Sequence, residues 1–211
     1  MSTVGTWTLW GHIAAGVVAV LAGTVALATE KGGLRHRQAG RAFVASMAVV
    51  VVTTFGLLAV EWTQTRIFLS LVAVFSGYFA FAGYRILSMK RPDSGPGIVD
   101  WAAAVAVVLA CAGMGVWGVA RLAAGDTFGT VLLVFGGIGV AIGGGDIRRF
   151  RAGGGGQWLP LHLSRMLGAF IATVSAVSAV NLASALGVIA WLWPTAVGVP
   201  LIAYYTRQYS A

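Results

Sequence analysis

The chain has 211 residues, of which 58% are hydrophobic and only 9% are charged, and its mean hydropathy is +0.87 with a pI near 10.6. Soluble domains carry about 25% charged residues, so this chain has too few to coat a water-facing surface. A soluble fold and a disordered chain are excluded, and so is nucleic acid as a partner despite the net charge of +8. What remains is an all-α membrane protein.

Apolar runs close to the roughly 20 residues that cross a bilayer predict seven transmembrane helices, at 7–29, 41–61, 67–88, 98–121, 128–147, 161–182 and 185–206. The residues between them make short loops, so 1–211 reads as one transmembrane domain, a single bundle. The first run is long enough to span and no basic segment precedes it, which predicts a retained helix rather than a cleaved signal peptide. Small residues Gly16, Ala19, Gly23 and Ala26 share a face of this helix. The fifth span carries seven glycines, including the Gly139–Gly143 spacing, and is expected to pack closely against a neighbour. The stretch 153–156 reads as a glycine linker, not a phosphate-binding loop, because no Gly-Lys-Ser/Thr follows. Helix seven holds Trp191, Trp193, Pro194 and Pro200, which predict a kinked, packed helix.

Orientation follows from Lys and Arg, which concentrate in cytoplasmic loops. With the N-terminus out and the C-terminus in, the inner side takes Lys31, Arg35, Arg37, Arg41, Arg85, Lys90, Arg91, Arg148, Arg149, Arg151, Arg165 and Arg207, and only Arg66 and Arg121 fall outside. Trp7, Trp10 and Trp62 then sit at the outer interface, and Trp101 and Trp158 at the inner one.

Ionisable residues inside a membrane are the default pointers to function, and the spans place none of the six acids near the midplane. Glu61 ends helix two, Asp100 begins helix four and Asp146 ends helix five, while Glu30, Asp93 and Asp126 fall in loops. The last helix has no lysine for a retinal Schiff base, no arginine ladder marks a voltage sensor, and a cation-coupled transporter lacks its buried carboxylate. Ser76, Ser175, Ser178, Asn181 and Thr195 read as hydroxyl and amide groups that join helices.

The inner face carries the remaining chemistry. The tract 30–41 (EKGGLRHRQAGR) sets His36 in the first cytoplasmic loop among four cations, and His162 and Arg165 open helix six. His12 lies in helix one on the opposite side. Helix N-termini carry partial positive charge, so this face favours an anion, either a small ligand or a lipid headgroup, held by Arg35, His36, Arg37, Arg41, Arg85, His162 and Arg165. In a second reading His36 and His162, with Asp146, hold a metal or a haem and the protein is an enzyme or electron carrier. A third is passive transport past Trp191 and Pro194. Anionic lipids of the cytoplasmic leaflet are the expected partners, beside a second copy or another protein through the small-residue faces.

Several short motifs follow one another along the chain: His12-x-x-x-Gly16, Lys31-Gly32, His36-Arg37-x-x-Gly40 with Phe43, Ser46-Met47, Tyr84-Arg85, and His162-x-x-Arg165-Met166-x-Gly168 with Asn181. In these the chain resembles an uncharacterised family of bacterial and archaeal multi-pass integral membrane proteins, a predicted membrane protein family with a domain of unknown function. The resemblance implies a prokaryotic cytoplasmic membrane and points to His12, His36, Arg37, Arg85, His162 and Arg165. It implies no activity or cofactor. Seven-helix metallohydrolases, which gather three histidines around zinc, differ: here the histidines do not share a leaflet and the last helix has no His-x-x-x-His pair.

Overall fold

A computed structural model describes residues 2–91, 94–153 and 158–208. Seven α-helices follow one another: α1 (Thr3–Ala28), α2 (Leu34–Val60), α3 (Gln64–Arg85), α4 (Ile98–Ala123), α5 (Gly129–Arg151), α6 (Trp158–Leu186) and α7 (Ile189–Gln208), with a 3-10 turn at Ile86–Met89 after α3. No strand occurs among the described residues. The protein is all-α and of membrane type, with helices α1 to α6 long and apolar enough to cross a bilayer. Helix α7 is shorter, and its two prolines and four Trp or Tyr residues dilute its apolar character.

The helices outrun the apolar spans wherever charged residues are good helix formers. Helix α2 begins at Leu34, so Arg35, His36 and Arg37 stand in its first turn and not in a loop. Helix α5 runs to Arg151, which puts Asp146 well inside it and at 1% exposure. His162 is in the second turn of α6, because that helix already starts at Trp158. Asp93 and residues 154–156 of the glycine stretch lie outside the described residues.

The chain divides into two compact units, Met1–Gly77 and Tyr78–Ala211, the boundary falling within α3. In the first unit α1 packs along α2. Ala19 and Gly23 of α1 are buried, as are Ala39, Phe43, Met47 and Thr54 of α2. His12 Nδ1 meets Thr53 Oγ1 at 3.0 Å. The Thr53 hydroxyl spends its hydrogen on the Val49 carbonyl at 2.7 Å, so the imidazole is the donor to Thr53.

In the second unit α4 packs on α5 and α6 on α7. The α4–α5 contact is closest at glycines seven residues apart, backbone against backbone at Gly129 and Gly136 and against valine methyls at Gly143. A Cβ on Gly129 would lie 2.5 Å from the Gly118 carbonyl oxygen, one on Gly136 2.7 Å from that of Cys111, and one on Gly143 2.7 Å from Val107. The expected close packing of the glycine helix is therefore present, on a stripe of Gly129, Gly136 and Gly143, while Gly137, Gly144 and Gly145 face open space. Cys111 is fully buried at this contact. In α7, Trp191 packs edge-on against Phe128 and Phe135, with ring centroids 6.2 and 6.3 Å away, and Trp193 Nε1 donates to Ser178 Oγ at 2.8 Å. Ser76 and Asn181 bond carbonyls of their own helices.

Candidate functional site

Five acids are described, and four of them are paired with arginine. Glu61 binds Arg66 at 2.8 Å, Asp126 binds Arg121 at 2.7 Å and Asp100 binds Arg85 at 2.8 Å, while Asp146 binds Arg165 at 2.9 Å and faces Arg149 at 3.5 Å. Arg85 and Arg165, the two candidate site arginines of the second unit, are thus engaged by carboxylates of the chain itself.

Asp146 is the centre of a buried network. Its Oδ2 accepts from the Tyr78 hydroxyl at 2.7 Å and from Arg165 Nε at 3.2 Å, and its Oδ1 accepts from Arg165 Nη2 at 2.9 Å. With Arg149 beside Oδ1, four donors surround a carboxylate that has about four lone-pair directions. Arg165 is 5% exposed and adds a bond from Nη1 to Ser164 Oγ at 3.2 Å. Local packing positions these groups. A Cβ on Gly83 would lie 2.7 Å from Met166 Sδ, and one on Gly168 2.8 Å from the Phe79 ring. The absent side chains let α6 approach the C-terminal half of α3 closely enough for Arg165 and Tyr78 to share one carboxylate.

Arg85 and Asp100 form a second pair one helix away. Arg85 reaches both carboxylate oxygens, from Nε and Nη2, each at 2.8 Å. Asp100, the third residue of α4, also accepts from the Gly97 amide at 2.8 Å and so caps that helix. Arg85, Asp100, Asp146 and Arg149 line a small cavity of about 10 Å³ together with Phe81, Ile86 and Phe150. That is about the room one water needs.

His36 and His162 cap the ends of preceding helices. The carbonyl of Ala26 can only accept, so His36 Nδ1 donates to it at 3.0 Å, beside Lys31 Nζ, which bonds the carbonyls of Ala26, Leu27 and Thr29. These are carbonyls at the end of α1 that have no partner in their own helix. His162 Nδ1 donates to the Gly83 carbonyl, near the end of α3, at 2.8 Å. Of the proposed metal set, His36 belongs to the first unit and His162 and Asp146 to the second. Among the described residues no three His, Cys, Asp or Glu side chains gather around a common point.

The arginines of α2 are different. Arg35, Arg37 and Arg41 are exposed, and among the described residues none lies within ion-pair distance of a carboxylate. Helix α2 has glycine at its N-cap, no side-chain cap bond and no acidic residue in its first turn. The positive end of its dipole therefore faces positive side chains, an arrangement that destabilises a helix unless an anion relieves it.

Sequence reasoning named Arg85, Asp146, His162 and Arg165 but missed Tyr78, the Arg165–Asp146 pair and the Arg85–Asp100 pair. The available signal was arithmetic and concerned Asp146 alone, the one carboxylate of a helix that ends in Arg148, Arg149 and Arg151.

Helices and buried pairs together define a multi-pass membrane protein with a polar interior at one end of its second unit. Compared with known proteins, the chain matches no family model, no curated protein and no solved structure.

Proposed function

We propose that the protein binds an anionic ligand or lipid headgroup at the end of the α1–α2 hairpin. One observation carries this reading: Arg35, Arg37 and Arg41 are exposed at an uncapped helix N-terminus without a carboxylate partner among the described residues. Arg85 and Arg165, in contrast, hold Asp100 and Asp146 and act as internal struts.

In this reading the N-terminus is outside, all seven helices cross, and the basic loops face the cytoplasm, so the partner is anionic lipid of the inner leaflet. Supporting it, the two arginines outside the inner set, Arg66 and Arg121, are each salt-bridged to a neighbouring acid. The order of the His12, His36-Arg37, Arg85 and His162-x-x-Arg165 motifs supports a place in the prokaryotic membrane family it resembles, and with it a prokaryotic cytoplasmic membrane. The test is lipid analysis of protein purified in mild detergent. The triple change Arg35→Gln, Arg37→Gln, Arg41→Gln is expected to lower the anionic share of co-purifying phospholipid. An unchanged share refutes the reading.

A second reading, metal or haem ligation by His36 and His162, has its own support. Histidines that bind metals usually donate the other ring nitrogen to a carbonyl or carboxylate, and both Nδ1 atoms do so here. Asp146 is already engaged by Tyr78 and Arg165. A visible spectrum and an elemental scan of the purified protein test it. A Soret band or stoichiometric metal, lost in His36→Ala/His162→Ala, establishes this reading, and spectra unchanged by the double variant remove it.

A further inference from the structure

Helix α2 has two faces. Ala39, Phe43, Met47 and Thr54 are buried and fall within one quadrant of the helix at about 100° per residue. On the opposite side Arg37 and Arg41 are about 40° apart, with Ala48, Val52 and Phe55 within about 60° of Arg37. All five are exposed, Val52 at 70% and Phe55 at 43%. Two guanidinium groups therefore head an apolar stripe on the outward face of a membrane helix. Arg35 is turned about 160° away from Arg37.

Length matches as well as chemistry. From Arg41 to Val52 the helix rises about 16 Å at 1.5 Å per residue, and half of a hydrocarbon core about 30 Å thick is about 15 Å. An acyl chain whose phosphate sits between Arg37 and Arg41 would run along the stripe to the middle of the bilayer. A guanidinium pair suits the phosphate through parallel N–H···O bonds, and the anion also offsets the unfavourable charge at the start of α2.

We infer that the outward face of α2 is a site for one anionic phospholipid, its phosphate held by Arg37 and Arg41 and one acyl chain lying along Ala48 and Val52 toward Phe55. This rests on the anion-binding reading above and narrows it. Phosphate could equally arrive as a free anion, but a soluble anion gains nothing from the stripe.

The experiment is native mass spectrometry of the full chain in mild detergent, titrated with dioleoyl phosphatidylglycerol, dioleoyl phosphatidylcholine and the deacylated headgroup glycerophosphoglycerol. One phosphatidylglycerol is expected to bind roughly tenfold or more tighter than phosphatidylcholine. At about 1 kcal/mol per basic residue, Arg37→Gln/Arg41→Gln should weaken it by roughly thirtyfold. Arg35→Gln should cost less than either single change, and Arg37→Lys/Arg41→Lys should retain part of the affinity. Glycerophosphoglycerol at millimolar concentration should not displace the lipid. If it displaces the lipid with comparable affinity, the lipid site is wrong and the anion site stands. If phosphatidylglycerol binding ignores Arg37, Arg41 and Arg35 alike, both readings fail.

Discussion

The Asp146–Arg165 pair offers the sharpest test of the internal architecture. Both side chains are nearly inaccessible, at 2% for Asp146 and 6% for Arg165, so neither charge is solvated by water if its partner is lost. Breaking a buried pair by removing one member typically costs about 3–5 kcal/mol, because the other charge is stranded. Asp146→Asn should fall in that range, since it leaves Arg165 with no carboxylate among the contacts described here. Arg165→Met should lie at the lower end, because Asp146 keeps the Tyr78 hydroxyl at 2.7 Å and Arg149 at 3.5 Å. The double variant removes both charges together, and apolar replacement of a buried pair is often neutral. Its cost is therefore expected to be about 2 kcal/mol or more below the sum of the singles. Unfolding in mixed micelles, followed by near-ultraviolet circular dichroism, measures all three. Additive costs within about 0.5 kcal/mol, or an Asp146→Asn cost below about 1 kcal/mol, would refute the strut.

Other expectations come from the same geometry. Gly136→Ala sets a Cβ 2.7 Å from the Cys111 carbonyl and 2.9 Å from the Gly115 amide, so the helices must part; a loss of about 1–3 kcal/mol is expected. Gly144→Ala, which meets open space, should be neutral or slightly stabilising in the same unfolding assay. Trp193→Phe loses the bond to Ser178 and should cost about 1 kcal/mol. His36→Ala leaves the Ala26 carbonyl to Lys31 Nζ at 3.2 Å and the Thr29 hydroxyl at 3.5 Å, and hydrogen exchange should accelerate modestly at the C-terminal turn of α1 while the middle of that helix is unaffected. A His12→Phe/Thr53→Val cycle should give a coupling of about 0.6 kcal/mol, the usual size for interhelical bonds in membranes.

Hydropathy located the helices because apolar length is a direct consequence of bilayer thickness. It could not locate their ends. Arg35, His36 and Arg37 are helical although no lipid contact demands it, and the glycine before them supplies no capping side chain to mark the start. Charge counting found the basic helix ends but treated their arginines as equivalent. Arg165 and Asp146 are 19 residues apart across a loop, so no helical periodicity links them. Their pairing depends on how α6 meets α3 and α5, and that follows from the missing side chains of Gly83 and Gly168. The glycine stripe of α5 was legible as a close-packing helix, yet its register was not. Gly143 of the conspicuous Gly139–Gly143 spacing lies in the contact, and Gly129 and Gly136, at seven-residue steps before it, are the positions the spacing did not mark.

Cys111 has a practical meaning. It is the one thiol in the sequence, and it is sealed in the α4–α5 contact at 0% exposure. A maleimide should ignore it while that contact holds and react once the two helices separate, so the native protein carries its own reporter of unfolding. The same silence leaves the background clear for single cysteines introduced at loop positions. Their labelling from either side of an intact membrane would map the orientation of every helix without first removing the native residue.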